Sequence, residues 1–383
     1  MNQIQATLKR ENSTVEKSLY MALELSERKW KLAFSDGGRV KHQVIDSGAT
    51  LELHDAIARA RSRFGLPPNT PVFSCYEAGR YGFWLHRYLD SCGITNVVVD
   101  SSSIEVSRRK RRAKTDRLDA GSLVRMLIRF CAGERRLWSV VRVPSVDEED
   151  ARHVHRELET LRDERTMHRN RMRSLLKLHG IKLSNASRKD FAPYIETIRL
   201  WDGTVVPGEL RARLIREHER LRQVEEQIRT LEKEQRERIH RGDTDSDRRV
   251  AQLMSLRGIG ITSSWVFEKE FFGWRNFANR REVGACAGLT PTPYTSGESH
   301  REQGISKAGN KRIRTLIVEI SWSWLRYQPR SELSRWFNER FAHGGKRMRR
   351  IGIVALARKL LIALWRFRTH GLIPEGACLK AIV

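Results

Sequence analysis

Residues 18–35, SLYMALELSERKWKLAFS, hold two apolar runs around a Ser-Glu-Arg-Lys break, and this constrains the fold more than any other stretch. Short apolar runs joined by a polar break predict two strands of a hairpin. Val40 to Ile45 can supply a third strand. Residues 50–64 predict a helix, which the Gly65–Pro68 stretch ends. PVFSCYE (71–77) predicts a strand, residues 79–91 a helix, NVVVD (96–100) a buried strand and residues 115–132 another helix. Three antiparallel strands followed by alternating helices and strands predict a mixed α/β sheet.

Residues 147–180 and 207–240 differ in kind. The second run spaces Leu221, Val224, Ile228 and Leu231 three, four and three apart, with Glu and Arg between. That is the spacing of a heptad seam, sustained for under two heptads. The first run offers Val154, Leu158 and Leu161, then Met172, Leu175 and Leu176. Two such helices can pair as an antiparallel hairpin, pair with a second subunit, or sit in an ordinary bundle. The segment between them, with Pro193 and Pro207, predicts a loop or a small excursion. Beyond residue 250 the pattern is helix, tight turn, helix (253–271), a long loop (289–309), and helices at 310–326, 331–341 and 348–368.

Charge narrows the partner. Lys and Arg total 72 against 46 Asp and Glu, a formal charge of +26. Such an excess suits a polyanion, whose counterions are released on contact. With 383 residues, 39% of them hydrophobic, the chain can build two or three cores. Cys75, Cys92, Cys131, Cys286 and Cys378 show no metal-binding spacing and read as buried free thiols of a reducing compartment. The start, residues 1–17, is polar and expected to fray, and no secretory leader precedes Ser18. Ile351 to Phe367 is too short and too charged to span a bilayer. The expectation is a soluble, intracellular protein that does not span a membrane.

Four acids stand where a metal site would want them. Glu24 lies in the first strand, Glu77 ends the strand at 71–77, and Asp116 and Asp119 share one face at the start of a helix. Carboxylates from strands and a helix start can hold Mg²⁺, and such ions assist phosphoryl transfer. Asp116 also suits the positive end of a helix without any metal. Glu24 interrupts the apolar MALEL, where an unpartnered charge is costly. Beside these acids runs Arg108, Arg109, Lys110, Arg111, Arg112, Lys114 and Arg117, a phosphate-backbone clamp or a solvated charge run. The turn RGIGI (257–261) resembles a helix-hairpin-helix element or is a plain tight turn. The loop GLTPTPYTSGESHREQGISKAGNKR (288–312) holds Ser296 with His300, Arg301, Lys307, Lys311 and Arg312. A serine needs activation to be a nucleophile, and cations can stabilise a pentavalent phosphate. By spacing alone, a phosphate-binding loop with an incidental serine is the simpler reading. Trp322, Trp324 and Trp365 read as core rather than as stacking platforms.

In this order, ALELS, CYEAGRYG, KTDRLDA, LRGIG, ACAGLTP, YTSGE and GISKAGNKRIR resemble the IS110/IS1111 insertion-sequence transposases over nearly the whole chain after residue 18. KTDRLDA and the stretch from ACAGLTP to GNKRIR are the most specific parts. The resemblance implies a RuvC-like, RNase H-type domain with a DEDD acidic set, carried here by Glu24, Glu77, Asp116 and Asp119. It implies an essential serine, Ser296, and recombination of donor and target DNA guided by a structured bridge RNA. Thr295 stands where many relatives carry another serine, and Glu24 where the family's first acid is usually aspartate. The longer glutamate arm would shift a bound ion.

The resulting expectation is α/β plus α. Residues 18–145 form the RuvC-like sheet domain, 146–245 a coiled-coil helical middle, and 246–383 a mainly α transposase domain with the hairpin-like turn and the serine loop. Four carboxylates would hold Mg²⁺ against the scissile phosphate while Ser296 forms a phosphoserine link. Acids and serine in separate domains suit a composite site in a homodimer or homotetramer. A metal-dependent junction nuclease without a covalent link, and an inactive nucleic-acid-binding protein, are the alternatives.

Overall fold

The computed structural model describes residues 17–79, 81–104, 120–296 and 299–380. The chain divides into two compact units, one ending at Pro144 and the other beginning at Ser145. Residues 1–16, the basic run at 108–117, Asp116 and Asp119 lie outside the described residues.

The first unit is a mixed sheet between helices. Strands β1 (Leu19–Glu24), β2 (Lys29–Ser35) and β3 (Val40–Asp46) form an antiparallel meander, followed by α1 (Thr50–Arg63), β4 (Val72–Glu77), α2 (Trp84–Ser91), β5 (Thr95–Val99) and α3 (Ala120–Cys131). The order is β3-β2-β1-β4-β5, with β4 parallel to both β1 and β5. Period-two alternation decides which helix covers which face. Leu19, Met21 and Leu23 pack with α1 and α2 through Leu53, Ile57, Leu85 and Leu89. Ala22, Phe73, Cys75, Val97 and Val99 pack with α3 through Leu123, Val124 and Leu127. Helix α2 starts later than its sequence pattern, because Gly82 takes a left-handed φ of 68° just before it.

The second unit is mainly helical: α4 (Val146–Asp150), α5 (His153–Lys177), α6 (Phe191–Thr197), α7 (Gly208–Arg241), α8 (Asp245–Met254), α9 (Ile261–Val266) running into a π-helical segment Phe267–Phe272, and α10 (Arg280–Cys286). Then come β6 (Pro291–Ser296), β7 (Ser299–Ile305), α11 (Lys311–Tyr327), α12 (Glu332–Phe337) and α13 (Lys346–His370). Helices α5 and α7 pair antiparallel within the chain. Val154 and Leu158 meet Leu231, Ile228 and Val224 near one end, and Met172 and Leu176 meet Leu214 and Leu221 near the other. Where the apolar seam lapses between Leu161 and Met172, the buried pair His168–Glu217 fills it at 2.7 Å, with Arg171 and Arg220 completing the carboxylate's partners. Burial pushes the Glu217 carboxyl up, but the hydrogen bond from His168 and the charge of Arg171 outweigh it and leave it below its ordinary value. The Pro193 excursion contains α6, with the proline in the first turn, where its missing N–H costs nothing.

Three expectations are corrected. The stretch 289–309 is not an open loop but an antiparallel β-hairpin, β6–β7. Thr, Tyr and Ile favour strand there, and the two prolines fall at the strand start and at a register shift, where a lost N–H is tolerated. The five cysteines are free, but only Cys75 is buried, and Cys92 and Cys378 are exposed. Trp324 is buried and donates its indole N–H to Ser331, whereas Trp322 is 41% exposed. Among the described residues no helix is long and apolar enough to cross a membrane.

Candidate functional site

Strands β1 and β4 run parallel with Leu23 opposite Tyr76, so the next residues, Glu24 and Glu77, end the two strands side by side. Alternation puts both on the face of Ala22 and Cys75, the face that α3 covers. The Cys75 thiol points to the Leu123 carbonyl at 3.9 Å, so α3 lies over this end of the sheet. The Glu24 side chain is 20% exposed, and the Lys31 ammonium from the neighbouring strand reaches it at 3.3 Å. That cation partners the charge that interrupts MALEL. Among the described residues no three His, Cys, Asp or Glu gather as a metal ligand set. Glu24 and Glu77 supply two carboxylates to one place.

Ser296 ends β6 opposite Ser299, and Arg301 lies in β7 opposite Tyr294; the side chains of these residues lie outside the description. What holds the hairpin is clear at its base. Asn310 N–H donates to the Cys286 carbonyl at 2.7 Å, Ser306 N–H to Thr290 at 2.8 Å, and Lys307 N–H to Gly288 at 3.1 Å. Gly288 and Gly309 have φ of 67° and 107°, and a Cβ on Gly309 would strike the Cys286 carbonyl while one on Gly288 would strike that of Ala308. The sequence stretches ACAGLTP and GISKAGNKR are therefore the two sides of one stem, backbone against backbone.

Below that stem is a group the sequence reading passed over. Glu270 is 4% exposed and accepts from His155 Nε2 at 3.0 Å, from Arg156 at 3.1 and 3.0 Å and from Asn310 Nδ2 at 3.2 Å, with Arg312 at 3.7 Å. Burial pushes its carboxyl up, but the hydrogen bonds from His155 and Arg156 outweigh it and hold the group well below the ordinary carboxylate range. Burial keeps the His155 imidazole below its ordinary value. The contact is then an imidazole N–H donating to a carboxylate, and Arg156 supplies the balancing charge. Asn310 also caps α11 by accepting from Ile313 N–H. One carboxylate thus ties the start of the helix after the hairpin to α5. Its signal was present in the sequence: FEKEFF sets three charges inside an apolar run.

The named cations divide. Arg312 is committed to Glu159 at 2.6 Å as well as to Glu270, while Lys307 and Lys311 are exposed. In the RGIGI turn, Arg257 N–H donates to Cys378, Ile259 N–H to Leu256 and Gly260 N–H to Ser263 Oγ. Three of its five amides already have acceptors within the chain.

Likenesses to known proteins give the class, that of transposases. Residues 250–334 match the family described as Transposase IS116/IS110/IS902. The chain is 39% identical over 379 residues, 95% of both chains, to the Sinorhizobium fredii protein y4rJ, named as a transposase. It is 29% identical over 223 residues, 57% of this chain and 62% of the other, to the transposase for insertion sequence element IS1328 of Yersinia enterocolitica. It is 24% identical over 259 residues, 67% of each chain, to the transposase for insertion sequence element IS1111A of Coxiella burnetii. The chain belongs to the IS116/IS110/IS902 family of transposases.

Proposed function

We propose that this chain breaks and rejoins DNA as the recombinase of an insertion sequence, through a serine–phosphate intermediate and with a structured RNA choosing the strands. The end-to-end likeness to transposases carries the reading, and the carboxylate pair indicates the chemistry. The order β3-β2-β1-β4-β5, antiparallel then parallel, supports a RuvC-like, RNase H-type sheet. The heptad-spaced seam supports reading α5 and α7 as a short coiled coil.

Two half-buried carboxylates on adjacent strands suit a hard divalent cation such as Mg²⁺, and Asp116 and Asp119 would complete its ligands. When bound, the ion would stabilise charge on the phosphate and activate the attacking hydroxyl. Lys31 holds the Glu24 carboxylate and would yield to it. Ser296 Oγ attacks phosphorus: the Oγ–P bond forms as the bond from phosphorus to a sugar oxygen breaks. A sugar hydroxyl of the new strand then displaces the serine. The braced stem anchors the base of the hairpin that carries Ser296, which supports a serine held for attack. The acids belong to one compact unit and the serine to the other, which supports a composite site in a homodimer or homotetramer. Arg108 to Lys114, with Arg301, Lys307, Lys311 and Arg312, would bind phosphates. Delegating sequence choice to base pairing leaves these contacts free to read backbone alone.

The test is to incubate the protein with guide RNA, Mg²⁺ and donor and target DNA, then look for a protein–DNA adduct on a denaturing gel. An adduct is expected, lost in Ser296→Ala and in Asp116→Ala. Cleavage without an adduct, indifferent to Ser296, would identify a metal-dependent junction nuclease. DNA binding without any cleavage would identify an inactive binding protein.

A further inference from the structure

We infer that the start of α13, backed by the exposed edge of α11, is a second DNA surface that grips the phosphate backbone of a duplex. Lys346, Arg347, Arg349 and Arg350 are all exposed and lie within about one helical turn, some 6 Å along the axis. None has an ion-pair partner among the described residues. Some arginines of the same unit are paired, Arg156 with Glu270, Arg211 with Glu196 and Arg368 with Glu268; what marks this turn is four free, exposed cations side by side. Residues 326–350 carry eight Lys and Arg against only Glu332 and Glu339.

The placement is the second argument. The first turn of a helix is the positive end of its dipole, where cations are disfavoured and acids preferred. Helix α13 has no acid there, and its N-cap, Gly345, offers no side chain. Four cations at that end work against the free protein's stability, and a polyanion relieves the strain. The third argument is the backing. The Arg349 guanidinium lies 6.0 Å from the Trp322 ring centroid, and that of Arg326 5.4 Å from the Tyr327 centroid. Trp322 and Tyr327 are 41% and 53% exposed. Each ring thus has a guanidinium within cation–π range, which helps to orient the cations toward a phosphate backbone. The contact is therefore with phosphate and blind to sequence. An exposed helix end suits the outside of a duplex, whereas a single strand is tracked by a groove with open aromatic platforms. This inference rests on the reading that the substrate is DNA, and not on the serine chemistry.

The test uses the full chain in Mg²⁺-free buffer with a random-sequence duplex, so no cleavage is needed. The variant is Lys346→Gln/Arg347→Gln/Arg349→Gln/Arg350→Gln. Each phosphate contact adds about 0.9 to the slope of log affinity against log salt. The slope is expected to fall by about 3 to 4, while the melting temperature holds or rises because the dipole conflict is gone. A control, Arg211→Gln/Arg229→Gln, removes cations that are ion-paired and is expected to leave the slope within about 1 of its value. An unchanged slope in the quadruple variant overturns the inference. So does a slope that falls for a hairpin RNA but not for the duplex. Met348 and Ile351 are exposed beside the cations; a changed oligomer mass with unchanged DNA affinity would assign the surface to a second copy instead. A wild-type protein that does not bind DNA overturns this inference and the functional reading together. A missing serine adduct leaves it standing.

Discussion

Replacing Glu270 by glutamine keeps the shape of the side chain and removes its charge, which isolates what the buried carboxylate contributes. Removing one partner of a buried pair costs roughly 3–5 kcal/mol. Arg156 is 42% exposed and can turn to water, but the His155 side chain is 2% exposed and cannot. The lower end of the range, about 3 kcal/mol, is the expectation. For a unit of this size that lowers the melting temperature by about 6–12 °C. The pH dependence gives a second readout. Burial pushes the Glu270 carboxyl up, but the hydrogen bonds from His155 and Arg156 prevail, so its folded value lies below the ordinary 4.5. A depressed carboxyl contributes stability above its unfolded pKa and loses it as pH falls toward the folded value. The gap between wild type and Glu270→Gln is therefore full above about pH 5.5 and narrows below about pH 4.5. Calorimetry on the whole chain at pH 7 and pH 4 measures both. A shift under about 2 °C at pH 7, or a gap that widens in acid, would refute the account.

Gly309→Ala meets two obstacles, a φ of 107° and the Cys286 carbonyl. It is expected to cost about 2–4 kcal/mol in denaturant titration and to reduce adduct formation through Ser296; a wild-type midpoint would show that the stem is looser than described. Burial pushes the Cys75 thiol up and seals it, while Cys92 and Cys378 are exposed. In mass-resolved maleimide labelling of the native protein at pH 8, Cys92 and Cys378 are expected to react first and Cys75 only after denaturation. Labelling of Cys75 at the rate of Cys92 would contradict the core described under α3.

The sheet was legible because its signal is local. Each strand declares itself by a short apolar run, and the break at 25–28 forces β1 and β2 into a hairpin. The seam of α5 and α7 was legible for the same reason, since Leu221, Val224, Ile228 and Leu231 announce a period. Sequence could not choose between a partner helix in the same chain and one in a second copy, because a seam does not name its partner. The β6–β7 hairpin was missed because Pro, Gly and Ser interrupt its strand pattern, and its strands are fixed by a stem whose halves lie about twenty residues apart. Gly288 and Gly309 were visible as motif letters, but their reason, two backbones in contact, exists only in three dimensions. Of the proposed acids, Glu24 and Glu77 come together because parallel pairing of β1 and β4 aligns their ends.

The FEKEFF segment shows why a charge run inside an apolar helix is more informative than its composition. The segment is π-helical, with Gly273 N–H donating to the Glu268 carbonyl at 2.7 Å, and only glycine fits that close approach. Its three successive charges reach three different neighbours. Glu268 takes Arg368 of α13 at 2.8 Å, Lys269 takes Asp247 of α8 at 2.7 Å, and Glu270 takes His155 and Arg156 of α5 with Asn310 at the head of α11. Apolar contacts at these positions would stabilise as well or better, but they accept many rotations and slides of a helix. A buried ion pair with a matched partner accepts few, because each misalignment strands a charge away from water. Four helices are thereby registered on one turn of backbone. Two of the groups so registered, Asn310 and Arg312, stand at the foot of the hairpin that carries Ser296, so the price in desolvation falls where position matters most to the proposed chemistry.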